Sequence, residues 1–460
     1  MRKCVLSIIF VCVALAAAAC GRGEEEYPPI IEMPWRQAPP PLPRETDRPT
    51  VPIPGFIAAD REEVTVDFWY VSSGNTQSDA LRETLVSFHD SQPYVRVNEV
   101  AYGSYALLAA QIMLSDFAGT LPHVAVASPP DVTRYRAERM LLPLSSFMYD
   151  PVVGMQTGEI EDILPALRPV GIYDGLWYSI PFTASVRLLF YNRDLITSHG
   201  FIRAPETWAD MEQAARALTD ESGRRGIGFG NDIDTEWLTL FIRLGGTFFN
   251  ETDTRAAFAS FEGIRSMQNL AVMANGPYAR VIGDGENINT TFARGEIAMF
   301  FGWSADIPHV ANAVGDAFDW RTAPVPASQD SRAAELTGYG LVMFENISHG
   351  VDERVGAWEF IRFTLGADVA ALWAIANHSV PVTQAALESL AYSRFFNLNP
   401  PARGIFASAD SGFFRTRHIS DDGIRGILSD SVNSIINGGV SAEVGLTQAE
   451  EKINLMLEGR

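Results

Sequence analysis

Apolar residues fall at alternate positions from Val64 to Val71, with Val64, Val66, Phe68 and Tyr70 on one face, the period of a half-buried strand. Ser72-Ser73-Gly74-Asn75 ends that strand, and Leu81, Leu85 and Phe88 then recur at helical spacing. Val95, Val97 and Val100 mark a second strand, Tyr105 to Leu114 a second helix, and Val124 to Ala127 a short buried strand before Ser128-Pro129-Pro130. Strand and helix in alternation predict a parallel sheet with right-handed crossovers. Ligands of such sheets gather at the carboxyl ends of the strands, which makes Ser72, Ser73 and Ser128 candidate contacts. Further on, Thr207 and Asp210 form a capping-box start that Met211, Ala215 and Leu218 continue as a helix, so Trp208 reads as core packing. Trp358, Ile361 and Leu365 read as core for the same reason.

The first sixty residues follow a different pattern. Arg2 and Lys3 precede an apolar stretch from Val5 to Val13, and the small-residue run Ala14 to Ala19 ends at Cys20. This is the layout of a signal peptide over 1–19, too short and alanine-rich for a comfortable membrane span. Its end resembles a bacterial lipobox, in which Cys20 is lipidated and becomes the first mature residue, although Ala17 stands where leucine is commonest. Removing residues 1–19 takes away two positive charges and no acids, moving the formal charge from −21 to −23. Residues 20–60 read as a tether, since ten prolines from Pro28 to Pro54 disfavour helix and sheet and favour extended polyproline conformations.

Composition narrows the function. The chain has 460 residues, 47% hydrophobic and 20% charged, enough for two packed domains. A net charge of −21 argues against nucleic acid and anionic headgroups as partners. All three cysteines, Cys4, Cys12 and Cys20, lie in the first twenty residues, so the body has no internal disulfide or thiolate metal site. Lys3 and Lys452 are the only lysines, and no Gly-Lys pair exists to build a phosphate loop. The seven histidines form no H-E-x-x-H pair, and Asp306 breaks the nucleophile-elbow pattern at Gly302-Trp-Ser-Ala-Asp306. No enzyme activity, metal or cofactor is expected.

Four landmarks then occur in order: Tyr178-Ser-Ile-Pro181 with Leu188 to Asp194 and Pro205 to Asp210; Phe292 to Met299 with Gly302-Trp303; Ala357 to Phe363 with Pro381-Val382; and a closing helix near Ala449 to Leu457. On these the chain resembles the family 1 extracellular solute-binding proteins, the maltodextrin and multiple-sugar group, from about Val64 to Leu457. It departs from the pattern at His123, where aspartate usually follows the proline, and in its long tether. The resemblance implies a two-lobed α/β fold of the class II periplasmic-binding type, each lobe a mainly parallel sheet flanked by helices, with ligand in the cleft between them. It places residues 61–185 with 326–378 in the first lobe and 186–325 with 379–460 in the second. The first crossing is expected near Phe182 to Tyr191, with ligand capture by closure.

The implied role is an extracytoplasmic lipoprotein, tethered at the membrane, that delivers a mono- or oligosaccharide to the permease subunits of an ABC importer and acts as a monomer. A sensor-coupled sugar-binding protein and a secreted glycoside hydrolase are the alternatives. Sugars need aromatic faces and polar groups around their hydroxyls. Trp303, following a glycine at the end of an apolar run, is the leading platform. Glu236 and Trp237 come from a stretch the family places in the second lobe's cleft wall, after a G-x-G-x-G run that is a weak dinucleotide lookalike. Tyr339, between two glycines, Thr183, Ser185 and Arg187 at the crossing, and Arg415 after Phe413-Phe414 complete the expected contacts.

Overall fold

The computed structural model describes residues 61–72, 74–250, 254–283, 285–327, 334–409, 412–414 and 422–458, together with Ile53. The signal peptide, Cys20, nearly all of the tether, Ser73 and Arg415 lie outside the described residues.

The opening alternation folds as its periodicity predicts. Strands β1 (Val64–Val71), β2 (Val95–Tyr102) and β3 (Val124–Ala127) are parallel, with β1 in the middle. Helices Asn75–Ser91 and Tyr105–Ala118 make the crossovers. On β1 the buried set is Val66, Phe68 and Tyr70, and Phe68 packs edge-on against Phe360 at 5.1 Å. Each such fully buried side chain contributes about 1.5–3 kcal/mol relative to exposure. A small hairpin, β4 (Ile172–Tyr173) and β5 (Leu176–Trp177), precedes the strand that organises the rest of the molecule.

That strand is β6 (Ile180–Asn192), thirteen residues long and buried at nearly every position. Its first half, through Val186, is antiparallel to β11 (Ala334–Met343), which in turn pairs with β3. From Arg187 onward it pairs with β9 (Met299–Trp303) and β10 (Trp320–Pro324). The remaining strands, β7 (Ile227–Phe229) and β8 (Ala279–Val281), extend the second sheet in parallel beyond β9, while β12 (Gly412–Phe414) runs parallel to β11. The chain therefore makes two mixed sheets, parallel in their outer strands, joined by one crossing strand. Along β6, Leu188 and Phe190 join one hydrophobic core while Leu189 and Tyr191 join the other, the alternation a pleated strand imposes.

The capping box at Thr207 is present: its amide donates to Asp210 Oδ2 at 3.0 Å and its hydroxyl accepts from the Asp210 amide at 3.1 Å. Trp208, the next residue, is half-buried against Phe301, with ring centroids 5.5 Å apart. After His378 the chain stays with the first sheet, because Val380 bridges to Ala184 and the Leu164 amide donates to the Val382 carbonyl. It meets the second sheet at the Arg403–Ser408 helix, where Gly404 is close-packed on Thr322.

Ile53 lies against the first core, and its amide donates to the buried carboxylate of Asp150 at 2.7 Å. Asp150 also accepts from the amides of Val152 and Val153.

Candidate functional site

A cleft of about 510 Å³ opens where both sheets meet. The first lobe's wall comes from the start of the Tyr105–Ala118 helix, the start of the Pro129–Ala137 helix, and β11 from Glu335 to Tyr339. The opposing wall holds Asp232, Thr235 and Trp303, and Phe414 and Arg425 also line the cleft.

Both helices on the first wall start where they do because a serine caps them. Ser104 accepts from the Leu107 amide at 3.2 Å. Ser128 accepts from the Asp131 amide at 3.3 Å and donates its hydroxyl to Asp131 Oδ2 at 2.5 Å. Side-chain caps satisfy amides that the helix itself leaves unpaired. Capping places Tyr105 and Asp131 in their first turns, at the cleft. Tyr105 lies face to face on Tyr339, with ring centroids 3.5 Å apart and planes inclined by only 2°. Burial pushes the Tyr339 phenol up to about 12 and raises Tyr105 as well, so both stay protonated. Asp131 also takes an ion pair from Arg134 at 2.8 Å.

On the opposite wall, Trp303 ends β9 half-buried, with Arg187 5.2 Å from its ring centroid. Arg187 is 1% exposed, so it is covered by the wall and does not face the cleft. It holds Asp232 through Nη1–Oδ2 and Nη2–Oδ1 contacts of 2.6 and 3.2 Å, and its Nε donates to Glu236 Oε1 at 2.9 Å. Burial works against the guanidinium charge, but the two carboxylates outweigh it and raise its pKa. Burial and the charge of Asp232 push Glu236 up to about 8, whereas Arg187 overcomes burial at Asp232 and keeps it below the usual carboxylate range. The cluster is one buried guanidinium held between two acidic side chains, Asp232 at the cleft and Glu236 behind it.

Of the residues expected from sequence, the structure brings Ser128, Trp303 and Tyr339 to the cleft. It places several others elsewhere. Trp237 is core: it is 1% exposed, stacks on Phe241 at 5.5 Å and donates Nε1–H to the Gly263 carbonyl at 3.2 Å. The helix Asp234–Arg243 turns it inward while Thr235 faces the cleft. Glu236 and Arg187 form the layer behind the wall. Ser185 bonds Ser304 at 2.9 Å and accepts from the Ala305 amide at 3.1 Å, fastening the turn after Trp303 to β6. Thr183 borders a water-sized void of about 10 Å³. Ser72 bonds the Gly74 carbonyl and the Ser78 hydroxyl at the end of β1 and does not line the cleft. The glycines around Tyr339 serve strand packing: a Cβ on Gly338 would lie 2.2 Å from the Thr183 carbonyl oxygen. Those of the G-x-G-x-G run are likewise packed, Gly226 against Ala215 and Gly228 against Ile297.

Sequence reasoning missed Tyr105, Asp131, Asp232 and Arg425. Two had a legible signal, since Tyr105 and Asp131 each follow a capping serine just beyond a strand's carboxyl end. Asp232 belongs to the same stretch as Glu236 but one turn earlier, and only the fold shows which carboxylate reaches the surface. Among the described residues no group of histidine, cysteine and acidic side chains could hold a metal ion.

A two-sheet α/β body with one shared strand and a walled cleft at the junction defines a two-lobed ligand receptor. The protein family described as bacterial extracellular solute-binding protein matches residues 85–397, and the chain belongs to it. Curated relatives include the sn-glycerol-3-phosphate-binding periplasmic protein UgpB of Rhizobium meliloti, 23% identical over 87% of this chain and 95% of that protein. Solved structures of the same fold include the cyclic alpha-maltosyl-1,6-maltose binding protein from Arthrobacter globiformis, with TM-score 0.76 and 21% identity, covering 86% of this chain and all of that one. UgpB from Mycobacterium tuberculosis in complex with glycerophosphocholine aligns with TM-score 0.71 and 21% identity, over 86% and 99% of the two chains.

Proposed function

We propose that this protein is the extracytoplasmic receptor of an ABC importer and captures a mono- or oligosaccharide between its lobes. One observation carries the ligand class: a cleft with an indole on one wall, a tyrosine pair on the other, and carboxylates on both. Aromatic faces suit the C–H surfaces of a pyranose, and fixed carboxylates accept from its hydroxyls. Trp303, Tyr105 and Tyr339 are the platforms in this reading, with Asp131, Asp232 and Ser128 as polar contacts. Sugar-binding structural neighbours and a family of binding proteins support a role without catalysis.

In the same reading Cys20 carries the lipid and the following segment holds the body at the membrane; the run of small residues before the cysteine supports this. The lobes divide at Val186 and Arg187 on β6, where pairing passes from one sheet to the other. Residues from about 380 to 390 go with the first lobe, because Val380 and Val382 bond to it; the return to the second falls near Arg403. Ligand contact with both walls favours a closed population.

A glycerophosphate ligand is the second reading, favoured by the curated relatives and by Arg134 and Arg425 at the cleft. A thermal-shift screen of saccharides, sn-glycerol 3-phosphate and glycerophosphodiesters separates the two, because a ligand that binds only the folded state raises its melting temperature. Stabilisation by a saccharide alone supports the first reading. Stabilisation by a glycerophosphate alone replaces it with the second.

A further inference from the structure

We propose that Arg187 is a positioning residue for ligand capture: it acts from behind the cleft wall by fixing Trp303 and Asp232 in one rigid, ligand-ready arrangement. This rests on the reading of the cleft as the binding site and names what holds one of its walls.

Three independent contacts converge on this side chain. Arg187 and Trp303 are register partners in the β6–β9 ladder, so their backbones are fixed opposite one another. Within that pair the guanidinium lies 5.2 Å from the indole centroid, close enough for a cation–π attraction, which strengthens when the cation is shielded from water. The same guanidinium grips Asp232 with two nitrogens, and Asp232 presents its carboxylate to the cleft with 41% of the side chain exposed. A planar fork meeting a carboxylate at two points fixes direction as well as distance. Glu236 in turn receives Nε and sets the plane of the fork from the buried side.

Position along the chain adds a mechanical role. Val186 is the last residue of β6 paired with β11, and Arg187 is the first paired with β9. Arg187 therefore sits where the crossing strand enters the second sheet, and the two cleft residues it holds move with that sheet as a unit. An arginine that served only to fill the core would not be a natural choice. A buried ion pair is often no more stabilising than apolar packing of the same volume. Lysine could keep the charge but could not make the fork, the Nε contact and the flat stacking surface together.

The test needs no ligand at first. The near-ultraviolet circular dichroism of Trp303 is obtained as the difference between the parent and Trp303→Phe. In an Arg187→Lys background that difference band should fall by about half or more, as the indole loses its fixed orientation. Should Arg187→Lys not fold, Glu236→Ala removes the Nε partner instead and is expected to reduce the band, while Glu236→Gln, which keeps an oxygen to accept from Nε, preserves it. An undiminished band in a folded Arg187→Lys or Glu236→Ala protein overturns the proposal, whatever the cleft binds. With a saccharide identified, Arg187→Lys should weaken affinity about tenfold when Trp303 is present and less than about twofold in a Trp303→Ala background, the non-additivity expected when one residue acts through another. Equal losses in both backgrounds would assign Arg187 a purely structural role. Failure of the parent to bind any saccharide would count against the ligand class and leave the spectroscopic result to decide on Arg187.

Discussion

Arg187 and Trp303 face each other twice, once as register partners in the β6–β9 ladder and once as a guanidinium 5.2 Å from an indole centroid. The consequence is a division of labour among tryptophans that composition cannot show. Trp303 is at the cleft and Trp237 is sealed in the second core. Trp237→Ala should destabilise the fold by about 3–5 kcal/mol, the range for deleting a large buried aromatic. The check is the denaturation midpoint, together with the affinity of whatever fraction remains folded, which should stay near the parent value.

A second expectation concerns the crossing. Gly338 has no room for a side chain, since a Cβ would press on the Thr183 carbonyl where β11 meets β6. Gly338→Ala forces the two strands apart and should cost about 1–3 kcal/mol, as overpacking does elsewhere. Urea denaturation measures this, and a midpoint equal to that of the parent would mean that the strands yield without strain.

Acid sensitivity has a structural source away from the cleft. The rings of His123 and His349 stack with centroids 3.8 Å apart. Burial, and then the neighbouring His123, hold His349 at about 4, while burial lowers His123 despite Glu353 at 3.9 Å and nearby Asp67. A folded-state pKa below the unfolded value means that the native state resists protonation. This contribution is complete above about pH 6.5 and is lost as pH falls through about 4. His349→Phe keeps a ring against His123 and removes one of these groups. Its unfolding free energy should fall less steeply over that window than the parent's, and parallel pH profiles would contradict the assignment.

The tether is not wholly separate from the body. Ile53 donates its amide to Asp150 and packs on the first core, eight residues before residue 61, where the sequence pattern of the body begins. A chain beginning at Arg61 should be less stable than one beginning at Thr50 by about 1–3 kcal/mol, the cost of leaving a buried acceptor at Asp150 without this partner. Equal melting temperatures would show that the contact contributes nothing.

The parallel strands and their crossovers were legible because their signals are local: alternation in Val64–Val71, helical spacing at Leu81, Leu85 and Phe88, a capping box at Thr207. The site was legible only in part. Trp303 could be placed because a glycine and an apolar strand precede it. Trp237 could not, because which face of the Asp234–Arg243 helix meets the core depends on the sheet beneath it. Arg187 reads as a ligand contact in sequence, since nothing local says that Asp232 and Glu236, 45 and 49 residues away, will hold it behind the wall. Tyr105 carries no local signal of its stacking role because its partner Tyr339 lies more than two hundred residues downstream.

Capture of a saccharide in the cleft between Trp303 and the Tyr105–Tyr339 pair is measured by titration calorimetry of an oligosaccharide into the parent and Trp303→Ala proteins. The parent should show saturable one-to-one binding, and a Trp303→Ala protein that melts near the parent temperature should lose about 2 kcal/mol or more, roughly thirtyfold in affinity. Undiminished affinity in that folded variant would contradict it.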